Sequence, residues 1–179
     1  GEGYQRDDQL PTQNCREPDF LSFNPIRSRN HFFDPISGKG LNWFEIEYGE
    51  PAPNWALEEP TSFFTQQFSV KDASQYLFQG LTGSSKADRE ENLGLMFRAL
   101  GQVIHLIQDM ASPPHTRNDW HIDPKSRLLG KKNTYELYIE NIKNRLQYTG
   151  YASPFFDTYR NFWKSGDGKG LAEFSNRNF

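Results

Sequence analysis

Apolar residues recur at three- and four-residue steps through the middle of the chain. Leu93, Met96, Phe97, Leu100, Val103, Ile104, Ile107 and Met110 follow this rhythm. It predicts one long amphipathic helix from about Asp88 to Met110, with that set on its buried face. Pro113 and Pro114 are expected to stop it, because proline cannot donate the next backbone hydrogen bond. Residues 72–81 also have helical composition, with Tyr76, Leu77 and Phe78 offered for packing and Gly80 and Gly83 as terminators. A second amphipathic helix is predicted from Thr134 to Tyr148, with Tyr135, Ile139, Ile142 and Leu146 inward. Shorter helices are expected over 155–164 and 169–176, separated by Ser165-Gly-Asp-Gly168. Residues 1–62 are rich in Pro, Gly, Asn and Asp and read as mostly irregular, with Pro51, Pro53 and Pro60 punctuating a loop. Alternating runs are scarce and valine occurs only twice, which disfavours a sheet. The expected fold is all-α, a multi-helix bundle with a long irregular N-terminal arm.

Composition narrows the class without naming a function. A chain of 179 residues fits one domain and can bury roughly 70% of its unfolded surface. Its 27 aromatic residues place the burden of the core on rings, Leu and Ile. Twenty basic against 23 acidic side chains leave a net charge of −3, which argues against electrostatic wrapping of DNA. Mean hydropathy is −0.82, and no apolar run approaches the ~20 residues of a transmembrane span. The single cysteine, Cys15, excludes an internal disulfide, and no second Cys or basic helix marks it as reactive. Trp43, Trp55, Trp120 and Trp163 suit either the core or a lipid- or base-binding cleft. The start carries no signal segment; its polar opening without Met points to processing, truncation or an upstream part.

The candidate chemistry lies in the four histidines, His31, His105, His115 and His121. His105 and Asp109 stand four apart on the long predicted helix, so they project from one face with Cβ atoms roughly 5–6 Å apart. That spacing lets an imidazole nitrogen and a carboxylate oxygen meet one ion at ~2.0–2.2 Å. It also suits a plain surface ion pair. Gly101, one turn earlier, leaves room for another segment to approach. The Ser112-Pro-Pro114 turn then delivers His115, and Asp119 follows four residues on, placed to hold that imidazole's second nitrogen. Asp34, before Pro35, reads as a turn former.

The segment from Leu100-Gly101 through His105, Asp109 and Pro113 to His115 resembles the signature of bacterial zinc-dependent phospholipase C and its relatives, the single-strand-specific nucleases. Three further stretches are similar to that family in the same order: Gly3 to Asp8, His31-Phe-Phe-Asp-Pro35, and Thr134-Tyr-Glu136. The resemblance implies one phospholipase C-like domain over 1–179, lacking the family's N-terminal segment. It implies a first zinc held by Asp8, His31, His105 and Asp109, with Asp8 as general base and metal ligand. A second zinc would take His115 and Glu136; in all, one to three Zn²⁺ ions are expected. Asp7 and Asp19 are the alternatives to Asp8. Where the family has a His before its second-site Glu, this chain has Lys132, and His121 either substitutes or packs beside Trp120. Gln108 stands where the family has Gly, narrowing the approach.

The activity so implied is hydrolysis of phospholipid headgroup esters by a metal-activated water, with transient contact to a membrane surface. Nucleic acid is the alternative substrate, and a non-catalytic zinc-stabilised binding domain is the third reading. A secreted or periplasmic home follows from the resemblance alone.

Overall fold

The computed structural model describes residues 29–43, 46–57, 68–119, 134–145 and 158–178. The side chains of Trp43, Thr134, Glu136, Glu140 and Lys143 lie outside that description, as do Asp8 and its alternatives, Cys15, Trp120, His121, Lys132 and Leu146. The described residues are 64% helical and 3% strand, so the fold is all-α. Strand pairing among them amounts to a small antiparallel hairpin, β1 (Asn42–Trp43) with β2 (Ile46–Glu47), in register Asn42 with Glu47 and Trp43 with Ile46.

The loop expected around Pro51 and Pro53 is instead a short helix, α1 (Ala52–Leu57). The Pro51 carbonyl accepts the first helical bonds, from Asn54 at 2.9 Å and Trp55 at 3.0 Å. Pro53 sits in the first turn, where a missing N–H has no helical partner to lose.

Helix α2 (Val70–Thr82) begins at a reciprocal cap. Ser69 Oγ accepts from the Asp72 amide, and the Asp72 carboxylate accepts from the Ser69 amide at 2.9 Å. Gly83 ends the helix, but Gly80 does not. Gly80 is buried inside α2, where a Cβ would come within 2.9 Å of the Leu93 side chain on the next helix. Its role is to let two helices approach. Leu77 and Phe78 are exposed, and α2 packs through Ala73 and Gly80 instead.

Helix α3 (Lys86–Asp109) is the long helix, capped by Ser85 Oγ accepting from the Asp88 amide. Its buried residues are Met96, Ala99, Val103 and Leu106, continued by Met110 just past its end. That stripe is rotated from the expected one. Phe97 is 68% exposed, Ile104 53% and Leu100 38%, while Ala99 and Leu106 take their places inside. Apolar residues cover so wide an arc of α3 that periodicity permits either stripe, and docking selects one. Gly101 faces open space among the described residues, none of which makes the close approach expected there.

Pro113 and Pro114 do not stop α3 directly. The chain first turns through Met110–Ser112, and the prolines then occupy the first turn of α4 (Pro113–Thr116). Helix α5 (Thr134–Ile142) passes into a 3₁₀ turn, Lys143–Arg145, with Tyr135, Ile139 and Ile142 half-buried. Helices α6 (Tyr159–Trp163) and α7 (Leu171–Asn178) complete the described chain. The main core forms where α1, the C-terminal half of α3, α6 and α7 meet: Trp55, Val103, Leu106, Met110, Trp163 and Ala172, closed by Phe33. Trp55 and Trp163 are therefore core residues. Because Val103 and Leu106 are pinned there, the neighbouring flank of α3 that carries His105 and Asp109 is fixed relative to Phe33 and its segment.

Candidate metal centre

Three segments converge on Asp109. His31 Nδ1 lies 2.9 Å from its Oδ2, His105 Nε2 3.5 Å and His115 Nδ1 3.8 Å. Helical geometry alone brings His105 to Asp109, one turn apart on α3. His31 arrives through a clamped segment that the fold must build. Asn30 Oδ1 accepts from the Glu50 amide at 2.8 Å, and the Phe32 carbonyl accepts from the Ala52 amide at 3.0 Å. On the other side, the Phe33 amide donates to the His115 carbonyl at 2.9 Å. Beyond it, Asp34 turns the chain as expected, its carboxylate accepting from the Ile36 amide and the Ser37 hydroxyl.

His115 is delivered by consecutive tight turns. The Ser112 amide donates to the Asp109 carbonyl at 2.9 Å, and the His115 amide to the Ser112 carbonyl at 3.0 Å. The far side of this segment is held by Asn118. It pairs with the Asn42 backbone through both ends of its amide, at 2.8 and 2.9 Å, while its own backbone is left-handed with φ +58°. Arg117 donates to the Asn176 carbonyl near the end of α7 at 2.9 Å, latching the turn to the last helix.

The ring nitrogens and carboxylate of His31, His105 and Asp109 offer one donor atom each within 4.8 Å of one another. In a tetrahedral zinc site with bonds of 2.0–2.2 Å, donors stand about 3.4 Å apart. The His105–Asp109 separation of 3.5 Å already matches that edge. His31 Nε2 is buried and finds no hydrogen bond among the described residues. Leaving such an atom unmatched costs about 1–3 kcal/mol, a cost that a bound cation removes. Two imidazoles and a carboxylate fit Zn²⁺ and suit other first-row divalent ions, Fe²⁺ among them.

Electrostatics favour the charged carboxylate. Burial opposes ionisation of Asp109, but the contact with His31 and the fields of His115, His31 and His105 outweigh it and hold its pKa below the ordinary value. Asp109 therefore remains an anion at the centre of the cluster, as a ligand must.

The expected first zinc set is thus brought together as far as its described members reach, His31, His105 and Asp109; Asp8 lies outside the described residues. His115 stands beside this trio, its ring centroid 6.4 Å from that of His31. Glu136 lies on α5, and its neighbour Tyr135 places its hydroxyl 3.5 Å from the Ala111 carbonyl. The start of α5 therefore adjoins the turn that leads to His115. Asp119 is exposed, with its amide bonded to the Pro114 carbonyl at 3.0 Å. At His115 Nδ1 the partner is the His31 carbonyl oxygen, 2.9 Å away. Nothing in the residue pattern pointed to that backbone contact. No protein family, curated protein or solved structure matches this chain, so the metal-site reading rests on these residues and on the motif resemblance.

Proposed function

We propose that this chain is a zinc-dependent phosphodiester hydrolase of the phospholipase C type, acting on phospholipid headgroup esters. The observation that carries the reading is the convergence of His31, from a distant loop, on the helical pair His105 and Asp109. An ion pair between neighbours on α3 would need no second segment; a cation needs several donors from different directions.

His31, His105 and Asp109 would hold the ion, with Asp8 as the further ligand and general base implied by resemblance, and His115 and Glu136 serving a second position. Zinc bound there supplies Lewis acidity and brings the pKa of a coordinated water toward ~7. The chain's own contribution is order and charge. Asp109 keeps its negative charge, the His31 and His105 rings meet edge to face at 4.9 Å, and Phe32 stacks on His115. Among the described residues no helix is long and apolar enough to cross a membrane; a secreted or periplasmic home and a passing contact with a lipid surface belong to the same proposal.

Metal analysis after loading, paired with hydrolysis of phosphatidylcholine vesicles and of single-stranded DNA, tests it. Zinc uptake with release of phosphocholine, abolished by a chelator and restored by zinc, is the expected result. Cleavage of DNA alone moves the activity to a nuclease. One tightly held zinc with no phosphoester turnover makes the chain a zinc-stabilised binding domain. Preferential uptake of iron overturns the zinc assignment.

A further inference from the structure

We propose that the dipeptide His31–Phe32 is a positioning element for His115, holding its ring as the Nδ1–H tautomer and so making Nε2 the nitrogen that can donate to a cation. The inference rests on the metal reading above.

A carbonyl oxygen can only accept a hydrogen bond, so His115 Nδ1, 2.9 Å from the His31 carbonyl, must carry the proton. Asp109 Oδ2, 3.8 Å from the same nitrogen, adds negative charge that favours a proton there. A neutral imidazole has a single N–H, which leaves Nε2 as the unprotonated nitrogen. The ring plane is set as well. Phe32 stacks on the His115 imidazole with centroids 4.9 Å apart and planes within 10°. Phe32 is 2% exposed, and its carbonyl is bonded to the Ala52 amide, so the stacking face cannot drift. The Phe33 amide returns a bond to the His115 carbonyl, closing the frame from both sides.

One short segment thereby serves two places. The His31 side chain enters the trio, while its carbonyl and the next ring determine how His115 presents itself. Backbone acceptors of this kind commonly fix the tautomer and orientation of metal-binding imidazoles.

The test is nitrogen NMR of the full chain labelled with ¹⁵N-histidine, metal-free and then titrated with Zn²⁺, with His115→Gln assigning the resonances. In the metal-free wild type His115 is expected as the Nδ1–H form. Phe32→Leu, which keeps apolar bulk but removes the flat face, is expected to mix the tautomers. It should weaken zinc uptake at His115 by about 10- to 100-fold, with uptake at His31, His105 and Asp109 retained. Phe32→Tyr, which keeps the ring, should restore the wild-type pattern. An Nε2–H tautomer in the wild type overturns the inference even if no variant folds. So does a Phe32→Leu protein with an unmixed tautomer and the wild-type zinc isotherm. A wild type that shows the Nδ1–H form yet binds no zinc sinks the metal reading and, with it, the donor role, while leaving the tautomer assignment standing.

Discussion

His31 Nδ1 stands 2.9 Å from Asp109 Oδ2, joining a residue of an irregular loop to the last turn of helix α3. Neither residue reaches the other through local structure. The contact exists because Asn30 and Phe32 are bonded to residues 50 and 52 on one side, and because Phe33 enters the same core as Val103 and Leu106.

If the trio holds a cation, its binding free energy adds to folding stability. Zinc at about 100 times its dissociation constant raises stability by about 2.7 kcal/mol. His105→Ala removes one donor and leaves Asp109 in an incomplete site. The zinc-dependent rise in melting temperature seen in the wild type is expected to vanish in this variant, and bound zinc measured after dialysis should fall. An unchanged zinc content would remove His105 from the ligand set.

Two glycines on the helical hairpin should respond oppositely to alanine. At Gly80 a Cβ would press on Leu93 Cγ and Cδ2 at 2.9 Å, so either the Leu93 side chain is displaced or α2 and α3 move apart. Gly80→Ala is expected to destabilise by about 1–3 kcal/mol, the usual range for overpacking. At Gly94 none of the described residues lies within 4 Å of an added Cβ, and Gly94→Ala should stabilise by about 0.5–1 kcal/mol through helix propensity alone. Urea denaturation of both variants measures the pair; equal shifts of the same sign would contradict the packing described.

Asn118 combines a left-handed backbone with two hydrogen bonds to Asn42. Asn118→Ala forfeits the bonds and keeps an unfavourable φ, costing about 1–3 kcal/mol. Asn118→Gly forfeits the same bonds but tolerates the φ, so it should cost less. The difference between the two midpoints isolates the backbone contribution, and a glycine variant less stable than the alanine one would show that φ is not the issue.

Glu173 opens α7 by accepting from the Ser165, Gly166 and Gly170 amides at 2.9, 3.1 and 3.2 Å. Partial burial pushes its pKa up, but these N–H groups and the Ser165 hydroxyl outweigh it and leave the pKa lowered. An acid whose folded pKa lies below its unfolded one stabilises the fold above the unfolded value. That contribution is lost as pH falls from the ordinary Glu range toward the lower folded value. Melting temperatures measured across that acidic window should therefore drop more steeply for the wild type than for Glu173→Gln. Parallel curves would mean that the carboxylate charge contributes nothing to the cap.

Local rules made much of the chain legible. Gly83 marks a helix end because unpaired C=O groups at a helix terminus demand partners wherever the helix lies, whereas the caps Ser69 and Ser85 stand just ahead of the starts expected at residue 72 and Asp88. The pairing of His105 with Asp109 was legible for the same reason, since a 3.6-residue period places them on one face in any fold. Pro51 and Pro53 were misread because proline marks a helix start as readily as a loop. His31 could be joined to that pair only through its resemblance to a known motif, because loop residues carry no period.

Residue order by itself therefore determined most of the helices, the end of α2 at Gly83 and one edge of the candidate site. Tertiary structure alone decided which apolar stripe of α3 is buried, leaving Phe97 and Ile104 outside and Ala99 and Leu106 within. It alone set the His31 carbonyl against His115 Nδ1. The physical reason is common to both. Side-chain periodicity is a property of one element, whereas burial and backbone contacts between distant segments depend on how elements dock, and a carbonyl oxygen is the same at every position of the chain.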